Sequence, residues 1–152
     1  MVASPQISLR NIFLSFGEKP IFDNLNLLIH PRDRIALVGR NGSGKSTLLK
    51  VLQGLVVQDE GDRMLSKGLS IGYMEQDPNL SEFSTLYDYV YSGASESNLH
   101  LIEMTGKNLG VDFDISIAAS SGGERRRAAL TKLITADHDI MLFDEPTNHL
   151  DV

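Results

Sequence analysis

The sequence contains no cysteine and no long uninterrupted run of apolar residues. The lack of cysteine excludes disulfides, thiolate metal sites and cysteine nucleophiles, and it favours a reducing compartment, so we expect a cytoplasmic protein. No stretch approaches the roughly 18 apolar residues that a membrane-spanning helix needs. The residues after Met1 lack the basic and apolar blocks of a secretion signal. We therefore expect neither membrane insertion nor export.

Positive charge is in deficit, with 14 Lys+Arg against 20 Asp+Glu and a net charge of -6. This balance does not favour non-specific binding of nucleic acid through bulk charge, so any such contact must be local. Hydrophobic residues make up 41% and charged residues 22% of the 152 residues, which is typical of a soluble globular chain. The length allows one domain with one core, and we expect a single domain over residues 1–152.

The first third of the chain predicts strands followed by a glycine loop and a helix. Apolar residues alternate from Ile7 to Phe16 and again from Leu25 to Ile29, with turns after each segment. Arg34–Val38 is predicted to be a short buried strand. Lys45–Gln53 is predicted to be an amphipathic helix that Gly54 ends. A strand, a glycine loop and a helix in this order are what a phosphate site requires.

The remainder predicts two strands and one helix around a less regular stretch. Leu69–Met74 and Ile140–Phe143 are the predicted strands, and Gly93–Asn98, inside the irregular residues 77–120, is predicted to be a loop. A helix is predicted over Glu124–Thr135. Its predicted buried residues are Ala129, Leu130, Leu133 and Ile134. The fold class indicated is α/β.

The segment Gly39–Ser46 satisfies the pattern G-x-x-x-x-G-K-[ST] in full. Its glycines let backbone N–H groups converge on a phosphate at the positive end of the following helix. Lys45 then reaches the β- and γ-phosphates, and the Ser46 hydroxyl is placed to ligate Mg²⁺. The alternative is a glycine-rich turn that happens to precede a helix, but the predicted strand before the loop and the amphipathic helix after it favour the phosphate loop. The candidate ATP-binding residues here are Gly39, Asn41, Gly42, Ser43, Gly44, Lys45, Ser46 and Thr47.

Two carboxylates follow the apolar strand Ile140–Phe143 directly. The carboxyl ends of strands are where doubly wound sheets bind ligands. In P-loop enzymes an Asp at this place holds Mg²⁺, so Asp144 is the candidate metal residue, and Glu145 is the candidate general base. Alone, the pair also fits an ordinary acidic loop after a strand.

Ser121-Gly122-Gly123-Glu124 precedes the predicted helix and fits a capping box through Ser121 and Glu124. The capping box does not explain two glycines in a first helical turn, where each costs about 1 kcal/mol relative to Ala. Glycines there would leave backbone N–H groups bare against a bulky anion. The three arginines that follow, Arg125–Arg127, are interpreted as a solvated helix face, with a nucleic-acid patch as the alternative.

Together the phosphate loop, Ser121-Gly122-Gly123-Glu124 and the segment Phe143–Asp151 resemble an ABC ATPase cassette. The Asp144–Asp151 segment is typical of the ABC-F branch, soluble proteins with tandem cassettes, and Leu14–Gly17 with Val38–Gly42 is similar to the first cassette of its Uup-like members. The resemblance implies a P-loop NTPase fold with an N-terminal antiparallel β subdomain and a shortened helical subdomain. It also implies binding and hydrolysis of ATP with Mg²⁺.

The resemblance assigns further roles residue by residue. It makes Phe16 the aromatic residue that stacks on adenine, and Gln76 the glutamine near Mg²⁺ and the attacking water. Lys45, Gln76 and Glu145 form the implied catalytic set, and Ser46, Gln76 and Asp144 the implied metal set. Ser121, Gly122 and Gly123 match the signature motif, which contacts the γ-phosphate on an opposing cassette, and Asp151 matches the aspartate that faces that interface. The expected partner is therefore a second cassette, in the same full-length chain or in a homodimer.

The chain departs from the family pattern at three places. Ser120 stands where the family usually has Leu, the helical arm of first cassettes is missing, and the sequence ends at Val152, one residue after Asp151. None of His30, His100, His138 or His149 occupies the position of the switch histidine. We therefore expect the 152-residue chain alone to be poorly stable and without turnover.

Three functions follow from the resemblance. The first is a soluble ABC-F ATPase in which ATP-driven closure of two cassettes acts on ribosomes. The alternatives are the ATP-binding subunit of a membrane transporter, and a truncated product that binds nucleotide without turnover.

Overall fold

A computed structural model describes residues 4–145, which form two compact units, one within residues 4–69 and the other within residues 70–145. The segment from Pro146 to Asp151, on which part of the family resemblance rests, lies outside the described residues. So does Asp151, the residue assigned to the cassette interface.

The first unit is built on three antiparallel strands. They are β1 (Ile7–Ser15), β2 (Pro20–Ile29) and β3 (Glu60–Leu65), in the spatial order β2-β1-β3. The side chains that alternate inward on the central strand β1 are fully buried: Ile7, Leu9, Ile12 and Leu14. The period-two pattern therefore predicted β1 and the second half of β2, which begins at Pro20 rather than at Leu25. It missed β3, whose six residues are mostly polar and exposed.

The helix of the first unit, α1, spans Lys45–Gln53 as predicted. Gly44 stands at its N-cap and Gly54 at its C-cap, both with left-handed backbone angles, and the Gly54 N–H donates to the carbonyls of Lys50 and Val51. Leucines 48, 49 and 52 are buried on one face, as the helical period predicted. The sequence reasoning holds here because glycine at each end and one apolar stripe define the helix locally.

The prediction of a buried strand at Arg34–Val38 is wrong. The segment has no regular secondary structure, and Ile35 and Val38 are 51% and 95% exposed. A strand is stabilised by hydrogen bonds to a neighbour, and Arg34–Val38 belongs to neither described sheet. A run of apolar residues is therefore not enough to form a strand where no neighbouring strand pairs with it.

The second unit combines a two-stranded parallel sheet with helices. The strands are β4 (Ile71–Met74) and β5 (Ile140–Phe143), and the elements between them are α2 (Leu86–Tyr91), a 3₁₀ turn (Glu96–Asn98), α3 (Leu99–Asn108) and α4 (Gly122–Thr135). One core cluster holds the helices together, with these buried members: Leu80, Leu86, Val90, Ile102, Val111, Ile117 and Ala128.

Several predictions for this unit need correction. Residues 77–120 contain α2 and α3, and the loop predicted at Gly93–Asn98 ends in the 3₁₀ turn. The predicted strand Leu69–Met74 is shorter, beginning at Ile71. Helix α4 begins at Gly122, and Ile134 is 43% exposed rather than buried. Ala128 is fully buried instead, because α4 packs its small residues against α2 and α3.

Candidate functional site

The glycine loop before α1 folds back on the side chain of Lys45. The Nζ of Lys45 donates a hydrogen bond of 2.9 Å to the carbonyl of Gly39 and one of 3.0 Å to the carbonyl of Arg40. The N–H of Ser43 donates to the same Arg40 carbonyl at 3.1 Å. The loop therefore forms a ring closed by an ammonium group, at the end of a helix whose first N–H groups carry a partial positive charge.

Two glycines of this loop adopt conformations that other residues avoid. Gly42 and Gly44 have φ angles of 79° and 92°. A Cβ on Gly44 would lie 2.7 Å from Cγ2 of Ile21 and 3.2 Å from Cε1 of Phe22, so the loop packs closely on the start of β2. Asn41 is exposed, and Ser46 and Thr47 are half-buried in the first turn of α1. The curled backbone fits a phosphate cradle, and the packing of the loop on Ile21 and Phe22 leaves no room for a side chain at Gly44.

Phe16 lies in the turn between β1 and β2, five residues before Ile21. Its side chain is 66% exposed, which is costly for a phenyl ring unless a ligand or partner covers it. The hydroxyl of Ser15 donates to the carbonyls of Gly17 at 2.7 Å and Lys19 at 3.3 Å. These bonds bracket Phe16 and fix the turn that presents it.

In the second unit, Asp144 lies at the end of β5 and is only 5% exposed. Its N–H donates to the carbonyl of Met74 at 3.1 Å, which continues the β4–β5 ladder past Phe143. The hydroxyl of Tyr73 donates to Oδ2 of Asp144 at 3.3 Å. Burial, followed by the charge and hydrogen bond of Asp144, raises the pKa of Tyr73 to about 12. The phenol is therefore a neutral donor to this carboxylate at neutral pH.

The same ladder brings Gln76 and Glu145 together. The amide Nε2 of Gln76 donates to Oε2 of Glu145 at 3.1 Å, and the guanidinium Nε of Arg126 donates to the backbone carbonyl of Gln76 at 2.8 Å. Glu145 has a φ of 48°, a left-handed conformation that is strained for a residue other than glycine. The two residues predicted from sequence to handle water are thus in direct contact.

Ser121 caps α4 in the arrangement that the sequence predicted. Its hydroxyl accepts from the N–H of Glu124 at 3.2 Å, and its own N–H donates to Oε2 of Glu124 at 2.7 Å. The hydrogen bonds from the Ser121 N–H and hydroxyl lower the pKa of Glu124 below its ordinary value of 4.5. Gly122 and Gly123 form the first turn, and a Cβ on Gly122 would meet nothing within 4 Å. The space on the Cβ side of Gly122 is therefore open.

Arg125–Arg127 do not form the solvated face that was predicted. All three are half-buried, and Arg125 donates from Nε to the Ser120 hydroxyl at 3.0 Å and from a terminal nitrogen to the carbonyl of Ile117 at 2.8 Å. The Ser120 hydroxyl also donates to Ile117 O at 2.7 Å. The Arg125 side chain therefore ties α4 to the segment before it.

Sequence reasoning missed two of the contacts that hold these residues, those of Tyr73 and Arg126. In the β4–β5 register Tyr73 is opposite Leu142, so it shares a face with Asp144 two residues on. That relationship requires knowing that β4 pairs with β5. Arg126 sits two residues after Glu124 in a helix, and no sequence signal links it to Gln76.

Residues 4–145 contain neither a cluster of metal-ligating side chains nor a membrane-spanning helix. No three His, Cys, Asp or Glu side chains are grouped there as ligands of a metal ion. An ion such as Mg²⁺, which one or two protein oxygens hold together with substrate phosphates, does not need such a group. The Ser46 hydroxyl in the first unit and, separately, the Asp144 carboxylate in the second unit are each oxygen donors of the kind that Mg²⁺ prefers. Within the same part of the chain, no helix is long and apolar enough to cross a membrane.

Comparison with known proteins agrees with these motifs. The family model described as ABC transporter matches residues 22–148. The chain is 42% identical over 150 residues to the ATP-binding protein Uup of Caulobacter vibrioides. The aligned region covers 98% of this chain and 24% of that protein. It is 34% identical to Uup of Haemophilus influenzae, over 96% of this chain and 29% of that protein. The energy-dependent translational throttle protein EttA of Mycobacterium tuberculosis is 29% identical to this chain, over 95% of this chain and 33% of that protein.

Among solved structures, a bacterial Atm1-family ABC exporter with ATP bound has a TM-score of 0.80 and 24% sequence identity. The superposition covers 100% of this chain and 31% of the exporter chain. At 24% identity, the similarity shows a shared fold and nothing more. The chain thus spans between a quarter and a third of the length of these proteins.

Proposed function

Because this chain belongs to the ABC transporter family and has its P-loop nucleotide-binding-domain fold, we propose that it binds Mg·ATP at Gly39–Thr47. The observation that carries the proposal is the position of Lys45, whose ammonium group lies within the curl of the loop, on the carbonyls of Gly39 and Arg40. An ammonium held there can turn to the β- and γ-phosphates of a nucleotide without moving the backbone.

In the proposed complex, the N–H groups of the loop and of the first turn of α1 bind phosphate oxygens. The Ser46 hydroxyl would hold Mg²⁺, which neutralises phosphate charge when bound. Phe16 would stack on the adenine ring. The close packing of Gly44 on Ile21 and Phe22 supports this last assignment, because the same turn that exposes Phe16 leads into those two residues.

For the second unit we propose that Asp144 serves as a magnesium residue and Glu145 as the base that activates water, with Gln76 beside them. Burial of Asp144 and its contact with the Tyr73 hydroxyl support a fixed carboxylate position. The Gln76–Glu145 hydrogen bond supports a shared role in orienting water, since a water molecule beside the pair can donate to the Glu145 carboxylate and accept from the second N–H of the Gln76 amide.

ATP hydrolysis and the cellular role belong to the proposal for the whole protein. Ser121, Gly122 and Gly123 would contact the γ-phosphate of a nucleotide on an opposing cassette, and the open space at Gly122 supports an anion there. Similarity to Uup and to the translational throttle protein EttA supports a soluble, cytoplasmic ABC-F ATPase that acts on ribosomes. Cosedimentation of the full-length protein with ribosomes in an ATP-dependent manner is the corresponding test.

The central test is a titration with a fluorescent ATP analogue and Mg²⁺. Lys45→Ala is expected to weaken binding at least tenfold, because it removes the cation that faces the β- and γ-oxygens. Lys50→Ala is the matched control, since Lys50 lies on the exposed side of the same helix. Equal affinities for wild type and Lys45→Ala would disprove the assignment of Gly39–Thr47.

A further inference from the structure

A carboxylate from the segment before β3 holds the turn that carries Phe16. Oδ2 of Asp59 accepts a hydrogen bond of 2.8 Å from the backbone N–H of Ser15, and the N–H of Asp59 donates to the carbonyl of Phe13 at 2.9 Å. Asp59 is therefore hydrogen-bonded to β1 at Phe13 and at Ser15, the residues on either side of Leu14. A hydrogen bond from an N–H to an ionised carboxylate is among the stronger kinds in proteins.

The position of Asp59 is fixed by the β1–β3 pairing. Glu60, the next residue, pairs with Phe13, and the pairing has an irregularity between Arg10 and Phe13. At that irregularity Gly61 has a φ of 94°, and a Cβ on it would lie 2.5 Å from the carbonyl oxygen of Arg10. The backbone of β3 thus lies so close to β1 at this point that only glycine fits, two residues after Asp59.

Ser15 transmits this restraint to the turn. Its N–H is held by Asp59, while its hydroxyl donates to the carbonyls of Gly17 and Lys19. The backbone on both sides of Phe16 is therefore anchored to one residue. Because the phenyl ring is 66% exposed, its position depends mainly on these backbone restraints rather than on packing of the ring.

We propose that Asp59 is a positioning residue for base recognition, which fixes Ser15 so that Phe16 is presented to the adenine ring of ATP. This inference rests on the proposed function. A turn that is already ordered loses less conformational freedom on binding, so the restraint increases affinity for the base. It has no effect on the triphosphate, which the glycine loop and Lys45 bind.

The test compares two ligands, Mg·ATP and Mg²⁺ with inorganic tripolyphosphate, by calorimetric titration of the 152-residue chain. Asp59→Ala is expected to weaken ATP binding about three- to tenfold, the worth of one hydrogen bond, and to leave tripolyphosphate binding unchanged. Asp59→Asn is expected to restore most of the ATP affinity, because its amide oxygen still accepts from Ser15. Asp62→Ala is the matched control, since it removes the same charge from an exposed position on β3.

A second variant keeps the test valid if Asp59→Ala disturbs folding, which circular dichroism would reveal. Ser15→Ala removes the hydroxyl bonds of the turn and is expected to give the same selective loss of ATP affinity. Unchanged ATP affinity in a folded Asp59→Ala variant would overturn the proposal, and so would an equal loss of affinity for ATP and tripolyphosphate. If Asp59→Ala does not fold, unchanged ATP affinity in Ser15→Ala overturns it instead.

Phe16→Ala separates this inference from the proposed function. If Phe16→Ala weakens ATP binding and the Asp59 variants do not, only the positioning role fails. If Phe16→Ala leaves ATP affinity unchanged, Phe16 does not contact adenine. The proposed role of Asp59 in positioning it is then also wrong.

Discussion

The side-chain amide of Gln76 donates a 3.1 Å hydrogen bond to the carboxylate of Glu145. The two residues are far apart in sequence, and the parallel register of β4 and β5 brings them opposite each other one step beyond Asp144. Because Glu145 also has a left-handed backbone, its carboxylate is directed by the backbone as well as by this hydrogen bond. The arrangement makes Glu145 the group whose replacement tests water activation most directly.

When the chain is joined to an opposing cassette, Glu145→Gln is expected to abolish ATP turnover while ATP stays bound. The glutamine keeps the shape of the side chain and can still accept a hydrogen bond from Gln76, but it cannot take a proton from water. Phosphate release measures turnover, and retention of radiolabelled ATP measures binding. Phosphate release near the wild-type rate would show that Glu145 is not the base.

Replacement of Gly44 by alanine is expected to lower stability and nucleotide affinity together. The left-handed backbone costs an alanine about 1–2 kcal/mol, and the added Cβ would also lie 2.7 Å from Ile21. Gly68→Ala is the matched control, because Gly68 has a φ of 77° but open space around it. Urea midpoints should fall further for Gly44→Ala than for Gly68→Ala, and only Gly44→Ala should weaken Mg·ATP binding. Equal midpoints would show that the contact with Ile21 relaxes without cost.

Features defined by neighbouring residues were predictable from the sequence. The bounds of α1, the capping box of Ser121 and Glu124, and the strand before Asp144 each depend on residues within a few positions. The same holds for Gly42 and Gly44, whose positive φ angles only glycine adopts easily. Local chemistry is sufficient for these elements because their decisive interactions are local.

Features that depend on distant partners were not predictable. Arg34–Val38 has the composition of a strand, yet it belongs to neither described sheet. Helix α2 has only six residues, and it is stabilised by burial of Leu86 and Val90 in a core that α3 and α4 complete. The contact between Tyr73 and Asp144 likewise exists only because β4 lies beside β5. Each of these required knowledge of which segments meet.

Stability is expected to fall in acid through the capping box of α4. The pKa of Glu124 is lower in the folded state than its ordinary value of 4.5, mainly because the Ser121 N–H donates to it. A lowered pKa gives stability that is present above about pH 4.5 and is lost as the pH falls through the folded-state pKa. Urea midpoints from pH 7 down to acidic pH should therefore fall more steeply for wild type than for Glu124→Gln. Parallel curves for the two proteins would contradict this role of Glu124.

Ser120 and Arg125 are expected to be energetically coupled. Ser120 stands where the family usually has Leu, and its buried hydroxyl accepts from Arg125 and donates to the carbonyl of Ile117. Ser120→Leu would leave the Arg125 Nε without this acceptor in a half-buried site, and we expect a loss of about 1–3 kcal/mol in the free energy of unfolding.

The matching variant is Ser120→Leu with Arg125→Met, which replaces both polar partners by apolar groups. Because Ile117 O still accepts from the Ser120 backbone N–H at 3.3 Å, its carbonyl keeps a donor in the double variant. We expect the double variant to unfold within about 1 kcal/mol of wild type, since removing both members of a polar pair costs less than removing one. Urea denaturation of the two single variants and the double variant gives the coupling energy. If the losses of Ser120→Leu and Arg125→Met simply add, the hydrogen bond between these side chains does not stabilise the loop before α4.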